Sequence, residues 1–225
     1  MPQAAPIVQQ FGQEQEPVVI IDNFCGELDH LVAAGQAAQY KPVLGYPGVR
    51  SPANVNYLSP QADRLADVIY KVFGFSTGFR VESCNYSIVN IPPDQLAPNQ
   101  RIPHYDDAGS DLLALLHYTG GSETGGTAFY RHRRTGYETV NPERQNTYRA
   151  ALREDDKTYG PPPLEYCYGD NDRYEMIGEI EARPDRMAIY RGRTLHSGII
   201  HSDLPLVADP KRGRLTVNTF VIGVS

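Results

Sequence analysis

A histidine and an aspartate two positions apart, His104 and Asp106, are the first residues of this sequence that could bind a metal together. In an extended strand, side chains two positions apart point to the same face, so both could reach one ion. The pair alone is weak evidence, because these residue types fall at this spacing by chance and Asp106 could equally cap a turn. A third ligand is therefore needed.

His196 can supply that ligand, because it follows the apolar segment Met187–Arg191 and precedes Gly198, as expected at the end of a strand. Two imidazoles and one carboxylate can occupy one face of an octahedron and leave three positions open, the arrangement found in non-haem iron(II) oxygenases. A bidentate 2-oxo acid can fill two of these positions and dioxygen the third. The three residues together predict a metal centre that activates oxygen.

A dicarboxylate co-substrate also needs a cation for its far end, and Arg214 is well placed to provide one. Arg214, Thr216 and Asn218 alternate with Leu215, Val217 and Thr219, so a guanidinium and a hydroxyl would share one face of a strand. The alternative, that Arg214 forms a surface ion pair, remains open at this point.

The elements that position these residues follow from the apolar pattern. We predict a buried strand at Val18–Ile21, a helix capped by Asp22 and running through Leu31, and a second helix from Ser59 to Gly74. Short β-like runs follow, at Cys84–Ile91, Leu112–Tyr118, Gly126–Arg131, Met187–Arg191 and Leu215–Val224. Helices first and strands afterwards predict an α+β chain that is mainly β with flanking helices.

The domain organisation expected for the 225 residues is a loosely ordered lead-in over residues 1–16 and one catalytic domain over residues 17–225. Residues 141–175 are polar and contain three consecutive prolines, which suggests a long insertion rather than core. The net charge of −6 argues against a nucleic-acid partner, and no stretch approaches the ~20 apolar residues of a membrane span. We therefore expect a cytoplasmic protein with three reduced cysteines; its oligomeric state is open, a homodimer included.

The order of these motifs resembles the prolyl-4-hydroxylase-like branch of the 2-oxoglutarate/iron(II) dioxygenases, over about residues 80–224. The matching pieces are Asn85–Val89, His104–Asp106, Leu112–Tyr118, Gly125–Phe129, Arg186–Tyr190, Leu195–Gly198 and Gly213–Thr216. The resemblance implies a double-stranded β-helix, which is a jelly roll or cupin-like barrel with the metal near its mouth. It also implies that Tyr86 hydrogen-bonds 2-oxoglutarate.

The activity that the resemblance implies is a dioxygenase reaction with Fe(II), 2-oxoglutarate and O₂. His104, Asp106 and His196 would hold the iron, while Arg214 and Thr216 would anchor the co-substrate. Decarboxylation of 2-oxoglutarate to succinate would be coupled to hydroxylation or a related oxidation of an amino acid, a peptidyl side chain or a small molecule.

Substrate contacts are expected from residues near the metal pair and from charged loops. Tyr105 and Asp107 flank the pair, and Arg131 begins a basic run that could receive an acidic group. Arg50 lies with Tyr46 on a loop rich in glycine and proline that could fold over the site as a lid.

Rival residues remain because Arg214 lies 18 positions after His196, farther than is common in the family. His201 is a rival third ligand, and Lys211 and Arg212 are rival carboxylate anchors. Of the other histidines, we expect a satisfied core position for His117, a solvated edge for His132 and a surface position for His30.

Two other functions also fit part of the pattern. A cupin-like hydrolase or isomerase could use the same three ligands for zinc or manganese and an activated water, but would leave Arg214 and Thr216 without a purpose. A non-catalytic binding module could retain the barrel without turnover.

Overall fold

Two antiparallel β-sheets form the centre of the molecule. The structure is a computed structural model, which describes residues 5–224 of the chain. Short 3₁₀ segments lie at Val55–Gln61, Pro93–Gln95, Pro98–Gln100 and Ser122–Thr124. The other elements, in chain order, are β1 (Ile7–Gln10), β2 (Pro17–Ile21), α1 (Leu28–Ala37), β3 (Lys41–Pro42), β4 (Gly48–Pro52), α2 (Ala62–Phe73), β5 (Gly78–Val89), β6 (Leu112–Tyr118), β7 (Thr127–His132), α3 (Gln145–Tyr159), β8 (Tyr174–Ile180), β9 (Arg186–Arg191), β10 (His196–Gly198) and β11 (Arg214–Val224).

The larger sheet has eight strands in the order β1-β2-β9-β6-β11-β5-β4-β3, and the smaller has three in the order β10-β7-β8. All pairings between these strands are antiparallel. Strands β5 and β6 follow one another in the chain but are not neighbours, because β11 lies between them. The prediction of a mainly β chain with flanking helices is confirmed.

Alternation of apolar side chains along the strands creates two cores on either side of the larger sheet. In β6, Ala114 and Leu116 point between the two sheets, while Leu113 and Leu115 point outward beneath α2. Helix α1 covers another part of the outer face, and α3 packs on the smaller sheet. Within residues 5–224, none of the helices combines the length and the apolar character needed to cross a bilayer.

The region 141–175, expected to be an insertion outside the core, contains α3 and contributes to the core. Tyr148 and Ala151 of this helix are buried, and the Tyr148 hydroxyl hydrogen-bonds that of Tyr174 at 2.9 Å. His132 is consequently fully buried, with Nε2 2.7 Å from the carboxylate of Asp155 on α3. The expected solvated position of His132 was wrong, because its acid partner comes from this helix.

The N-terminal segment differs from the loosely ordered lead-in expected over residues 1–16. Strand β1 pairs with β2 along its whole length. Beyond it, the buried carboxylate of Glu138 accepts backbone hydrogen bonds from Gln13 and Glu14 at 2.8–3.0 Å, and Arg131 also contacts it. A buried carboxylate needs such donors, and this segment supplies them. Residues 1–4 lie outside the described residues.

The first helix also begins differently from the expectation. Asp22 forms a two-point ion pair with Arg186 at 2.6 and 2.9 Å and does not cap α1, which begins five residues beyond Asn23, at Leu28. The predicted end of the second helix is confirmed, because Gly74 adopts the left-handed conformation with φ +77° as its C-cap. His30 is exposed, as expected.

A buried carboxylate, Asp185, ties the segment before α1 to the turn before β9. It accepts backbone hydrogen bonds from Cys25 and Gly26 at 2.9 Å each, and its Oδ1 lies 2.9 Å from Nε2 of the fully buried His117. Burial alone would raise the pKa of Asp185, but these hydrogen bonds outweigh it and hold the pKa well below its usual value. His117 is thus the core histidine that the sequence predicted.

Replacing the Asp185 carboxylate should make the free energy of unfolding less sensitive to pH in the acid range. A group whose pKa is lowered on folding stabilises the fold above its unfolded pKa of about 4, and this stabilisation is lost as the pH falls through the folded pKa. We expect Asp185→Asn, which tolerates the positive φ of this position, to lower the free energy of unfolding by about 2 kcal/mol at pH 7 and by less below pH 4. Urea unfolding at both pH values measures this. The exposed Asp172→Asn is the control, and an equal loss at both pH values would contradict the account.

Candidate metal centre

His104, Asp106 and His196 converge at one end of the cleft between the two sheets. Nε2 of His104 lies 3.8 Å from Oδ1 of Asp106, and Nε2 of His196 lies 3.6 Å from Oδ2. One ligand atom from each residue lies within 4.8 Å of the other two. The separations from the carboxylate are too long for hydrogen bonds, so the three groups face one another without satisfying one another.

Backbone hydrogen bonds set this arrangement. The amide of His104 donates to the carbonyl of His196 at 2.9 Å, and the reverse bond is 2.8 Å. The amide of Asp106 donates to the carbonyl of Gly192 at 2.7 Å. The segment holding the His-x-Asp pair is therefore a single β-bridge between irregular stretches and not the regular strand expected, although both side chains still reach the same place.

The protonation state of the imidazoles suits metal binding. Nδ1 of His196 donates to the carbonyl of Thr194 at 2.8 Å, which leaves the lone pair of Nε2 facing Asp106. Enclosure by the protein lowers the pKa of both His104 and His196 to about 4, although about half of the His104 side chain is accessible from the cavity. Both rings are then neutral at pH 7, the form that a metal requires.

The guanidinium of Arg214 is buried on the facing wall of the same cavity. Its Nε donates to the carbonyl of Thr124 at 2.9 Å and its Nη2 to that of Gly126 at 3.1 Å, while Nη1 has no hydrogen bond within residues 5–224. Gly126, whose carbonyl accepts this bond, lies close against the backbone of Ile180. A Cβ at Gly126 would be 1.8 Å from the carbonyl oxygen of Ile180, so only glycine fits at this position. The alternative of a surface ion pair for Arg214 does not hold.

The cavity that joins these groups has a volume of about 490 Å³, within the range of small-molecule sites. Its polar and charged lining comes from both sheets, from the turn between β3 and β4, from the segment 99–106 before β6 and from the loop after α3. These residues are Tyr46, Arg50, Asn99, Gln100, His104, Tyr105, Asp106, Thr127, Tyr166, Tyr190, His196, Ser197, Arg214, Asn218 and Thr219.

Tyr86 and Thr216, both expected to contact the co-substrate, do not reach the cavity as expected. Tyr86 packs on the outer face of the larger sheet against α1, and its hydroxyl donates to the carbonyl of Leu31 at 3.1 Å. It therefore does not reach the cavity, because the alternation of β5 points it the other way. Thr216 is buried on the cavity side and donates to Oδ1 of Asn218 at 2.9 Å, so Asn218 forms the wall at this position.

Of the four residues expected to contact the substrate, two line the cavity and two do not. Arg50 and Tyr105 line the cavity. Arg131 does not, because Glu138 and Glu175 hold its guanidinium in ion pairs at 2.7 and 2.8 Å. Asp107 does not either, since its carboxylate accepts the backbone amide of Gly109 at 2.6 Å in an exposed turn.

The rival residues lie outside the cavity wall. His201 is exposed and packs edge-on against the ring of Tyr168, and Lys211 and Arg212 are exposed in the turn before β11.

Sequence reasoning missed Tyr190, whose ring lies 4.8 Å from that of His196. The alternation of β9 could have indicated it, because Ala188 and Tyr190 share the face between the sheets.

A second group of potential ligands, Cys25, His117 and Asp185, lies on the outer face of the larger sheet. It differs from the first because Nε2 of His117 is 2.9 Å from Asp185, within hydrogen-bond distance, and both carboxylate oxygens accept backbone amides. Burial and the neighbouring carboxylate raise the pKa of Cys25 to about 12, so its thiol is protonated. The carboxylate is thus already bonded to His117 and to two backbone amides, while Nδ1 of His117 is buried without a partner within residues 5–224.

Comparisons with known proteins place the chain among structures of similar fold. A family described as "Family of unknown function (DUF6445)" matches residues 2–221, whereas no curated protein sequence matches. HygX from Streptomyces hygroscopicus, solved with nickel, 2-oxoglutarate and hygromycin B, is 12% identical with a TM-score of 0.55, over 94% of this chain and 84% of its own. SnoN, described as a non-haem α-ketoglutarate-dependent epimerase from nogalamycin biosynthesis, is 11% identical with a TM-score of 0.51, over 93% of this chain and 79% of its own.

Removing one convergent imidazole should abolish tight metal binding. Loss of an outer partner of a ligand already costs about 10–100-fold in metal affinity, so His196→Ala should weaken Co(II) or anaerobic Fe(II) binding by at least ~100-fold. His201→Ala, which removes the exposed rival, should leave the affinity unchanged. Equilibrium dialysis with metal analysis measures both, and a loss in the His201 variant equal to that in the His196 variant would contradict this assignment.

Proposed function

This chain belongs to the DUF6445 family, whose function is unknown, and we propose that it is a non-haem iron(II) oxygenase dependent on 2-oxoglutarate. It would couple oxidative decarboxylation of 2-oxoglutarate to hydroxylation or a related oxidation of a small-molecule, amino-acid or peptidyl substrate. One observation carries the proposal: two neutral imidazoles and a carboxylate face a buried arginine with a free Nη1 across one cavity.

The fold supports this proposal. Two antiparallel sheets facing each other across the cleft are what a double-stranded β-helix requires, and we assign the chain to that jelly-roll class. HygX was solved with 2-oxoglutarate bound and SnoN is an epimerase dependent on α-ketoglutarate, which is the same compound, and this favours the same chemistry here. The assignment to the prolyl-4-hydroxylase-like branch remains part of the proposal.

The protein's own groups would hold and orient the reactants. His104, Asp106 and His196 would bind iron, and the bond from Nδ1 of His196 to Thr194 keeps that imidazole in the correct tautomer. When bound, iron and 2-oxoglutarate supply the oxidising chemistry. No side chain is needed as a general acid or base for that step, so the protein's contribution is binding and positioning.

Arg214 would fix the far carboxylate of 2-oxoglutarate. Its Nε and Nη2 are committed to the carbonyls of Thr124 and Gly126, which hold the guanidinium rigidly and leave Nη1 for a carboxylate oxygen. Asn218, oriented by the hydroxyl of Thr216, lies beside it on the cavity wall. Thr216 would therefore act on the co-substrate through Asn218. A charge-assisted bond in such an enclosed site is stronger than one at the surface.

The aromatic walls would limit access of water. Tyr190 packs edge-on against His196 and also against Phe129 of the smaller sheet at 5.2 Å, which closes one side of the cavity. Tyr46 and Tyr166 line another part of the wall. Enclosure of this kind keeps a reactive centre away from solvent and strengthens the electrostatic contacts inside it.

Substitution of the buried arginine tests the co-substrate site. Truncating one partner of a buried, hydrogen-bonded charge pair costs about 2–5 kcal/mol, so Arg214→Gln should weaken 2-oxoglutarate binding by at least ~30-fold. The matched control is Arg212→Gln, two positions away and exposed, which should bind normally. Anaerobic titration of the Fe(II)-loaded protein, followed through the visible charge-transfer band of the bound oxo acid, measures the affinity.

Product analysis distinguishes the proposal from the alternatives. With oxygen, the wild-type protein should release succinate from 2-oxoglutarate, and the His104→Ala variant should not. A protein that binds zinc or manganese and never forms succinate would instead be the hydrolase or isomerase. A protein that binds 2-oxoglutarate without any turnover would be a binding module.

A further inference from the structure

Arg50 differs from most arginines of the described chain because no acid neutralises it. Ion pairs hold ten arginines within residues 5–224: Arg80, Arg131, Arg133, Arg134, Arg144, Arg173, Arg183, Arg186, Arg191 and Arg193. Arg50 is half-buried on the cavity wall, and within the same residues its guanidinium has no ion pair or hydrogen bond. Its Nε is inaccessible to solvent and has no acceptor. A half-buried cation without an acceptor is costly unless a ligand pairs with it.

The position of Arg50 directs it toward the metal ligands. In the larger sheet it pairs with Ser87 of β5, which in turn pairs with Thr216 of β11, so all three lie on the cavity face. It lines the same cavity as the metal ligands His104 and Asp106 and lies close enough to exert an electrostatic effect on both. Arg50 therefore lies near the metal centre and is distinct from the Arg214 anchor.

The ring of Tyr46 holds the Arg50 side chain in place. The guanidinium carbon lies 4.1 Å from the centroid of this ring, a cation–π contact that restrains the side chain without using its N–H donors. The guanidinium is planar and presents its donors in one plane, which matches the two oxygens of a carboxylate or two oxygens of a phosphate. Tyr46 belongs to the turn between β3 and β4, which contributes to the cavity lining.

The charges of the cavity lead to the same conclusion. Its charged lining residues, within the described chain, are Arg50, Arg214 and Asp106, and a metal binds the two histidines in their neutral form. With a divalent metal the positive charges number four, against one from Asp106 and two from 2-oxoglutarate. One positive charge remains, and Arg214 is already assigned to the co-substrate. A substrate that carries an anionic group would offset this remaining charge.

We propose that the substrate carries an oxyanion, a carboxylate or a phosphate, which Arg50 binds beside the metal. This rests on the proposed function, because it assumes that the metal and 2-oxoglutarate occupy the rest of the cavity. Arg50 is then a specificity-determining residue that selects anionic substrates and turns their reactive end toward the metal.

Binding of simple anions to a loaded but inactive protein tests this proposal. The probes are benzoate and phenyl phosphate, with uncharged benzyl alcohol for comparison, titrated by calorimetry into protein holding Ni(II) and 2-oxoglutarate. We expect at least one charged probe to bind more tightly than benzyl alcohol. Arg50→Gln should weaken that probe by ~10-fold or more, as loss of a charge-assisted bond predicts, and should leave 2-oxoglutarate affinity within about twofold of wild type. Whichever of the two anions binds more tightly identifies the oxyanion.

Two further variants separate the role of Arg50 from a general loss of charge or structure. Arg212→Gln removes an exposed cation outside the cavity and should bind the anionic probes normally. Arg50→Lys keeps the charge but not the planar edge, and should recover only part of the affinity. Circular dichroism melting of each variant confirms that it is folded at the temperature of the titration.

Three results would overturn the proposal. The first is equal binding of charged and uncharged probes to the wild type, or no binding of any probe. The second is unchanged anion binding in Arg50→Gln. The third is a loss of 2-oxoglutarate affinity in Arg50→Gln as large as that in Arg214→Gln, which would make Arg50 a second co-substrate anchor. If 2-oxoglutarate fails to bind the wild type while Arg50-dependent anion binding persists, the oxygenase function fails and the anion site remains.

Discussion

The reciprocal backbone hydrogen bonds between His104 and His196 are the constraint on which the candidate site depends. They join two residues 92 positions apart and bring both imidazoles to Asp106 at 3.6–3.8 Å. At that spacing the polar groups do not bond to one another, so the free energy lost on enclosing them must be recovered from something else. A cation bound between the three groups would recover it, and neutral imidazoles are the form that binds one. The buried Arg214 places a fixed positive charge on the facing wall, where a metal-bound dicarboxylate would end.

Much of this arrangement could be predicted from the sequence because its signals are local. Strand β6 was predicted at its exact bounds, Leu112–Tyr118, since a run of apolar residues fixes a buried strand whatever surrounds it. The pairing of His104 with Asp106 follows from a spacing of two, and the cavity face of Arg214 from the alternation of β11. His196 could be added because it follows the apolar segment Met187–Arg191 and precedes Gly198. Each inference needed only neighbouring residues and elementary strand geometry.

The remaining features depend on partners that are distant in sequence. Alternation shows that Tyr86 and Ser87 point to opposite faces of β5, but only the packing of α1 reveals that Tyr86 is on the outer one. His132 appears as part of a basic run, and its burial depends on a carboxylate 23 residues later. Asp22 has the composition of a helix cap, yet Arg186, 164 residues away, binds it. In each case the local pattern allowed two structures, and a long-range charge or packing contact selected one.

The central position of β11 has a consequence for how this chain reaches its native state. Strands β5 and β6 leave the ribosome early, but the strand that joins them begins 96 residues after β6 ends. Until it arrives, both expose an open edge, the kind of surface that pairs with other chains. Nascent chains of this protein should therefore depend on chaperones more than a protein built from consecutive hairpins would. Since Arg214 is the first residue of that late strand, partly synthesised chains lack the proposed dicarboxylate anchor, and a ligand that depends on it would not rescue their folding.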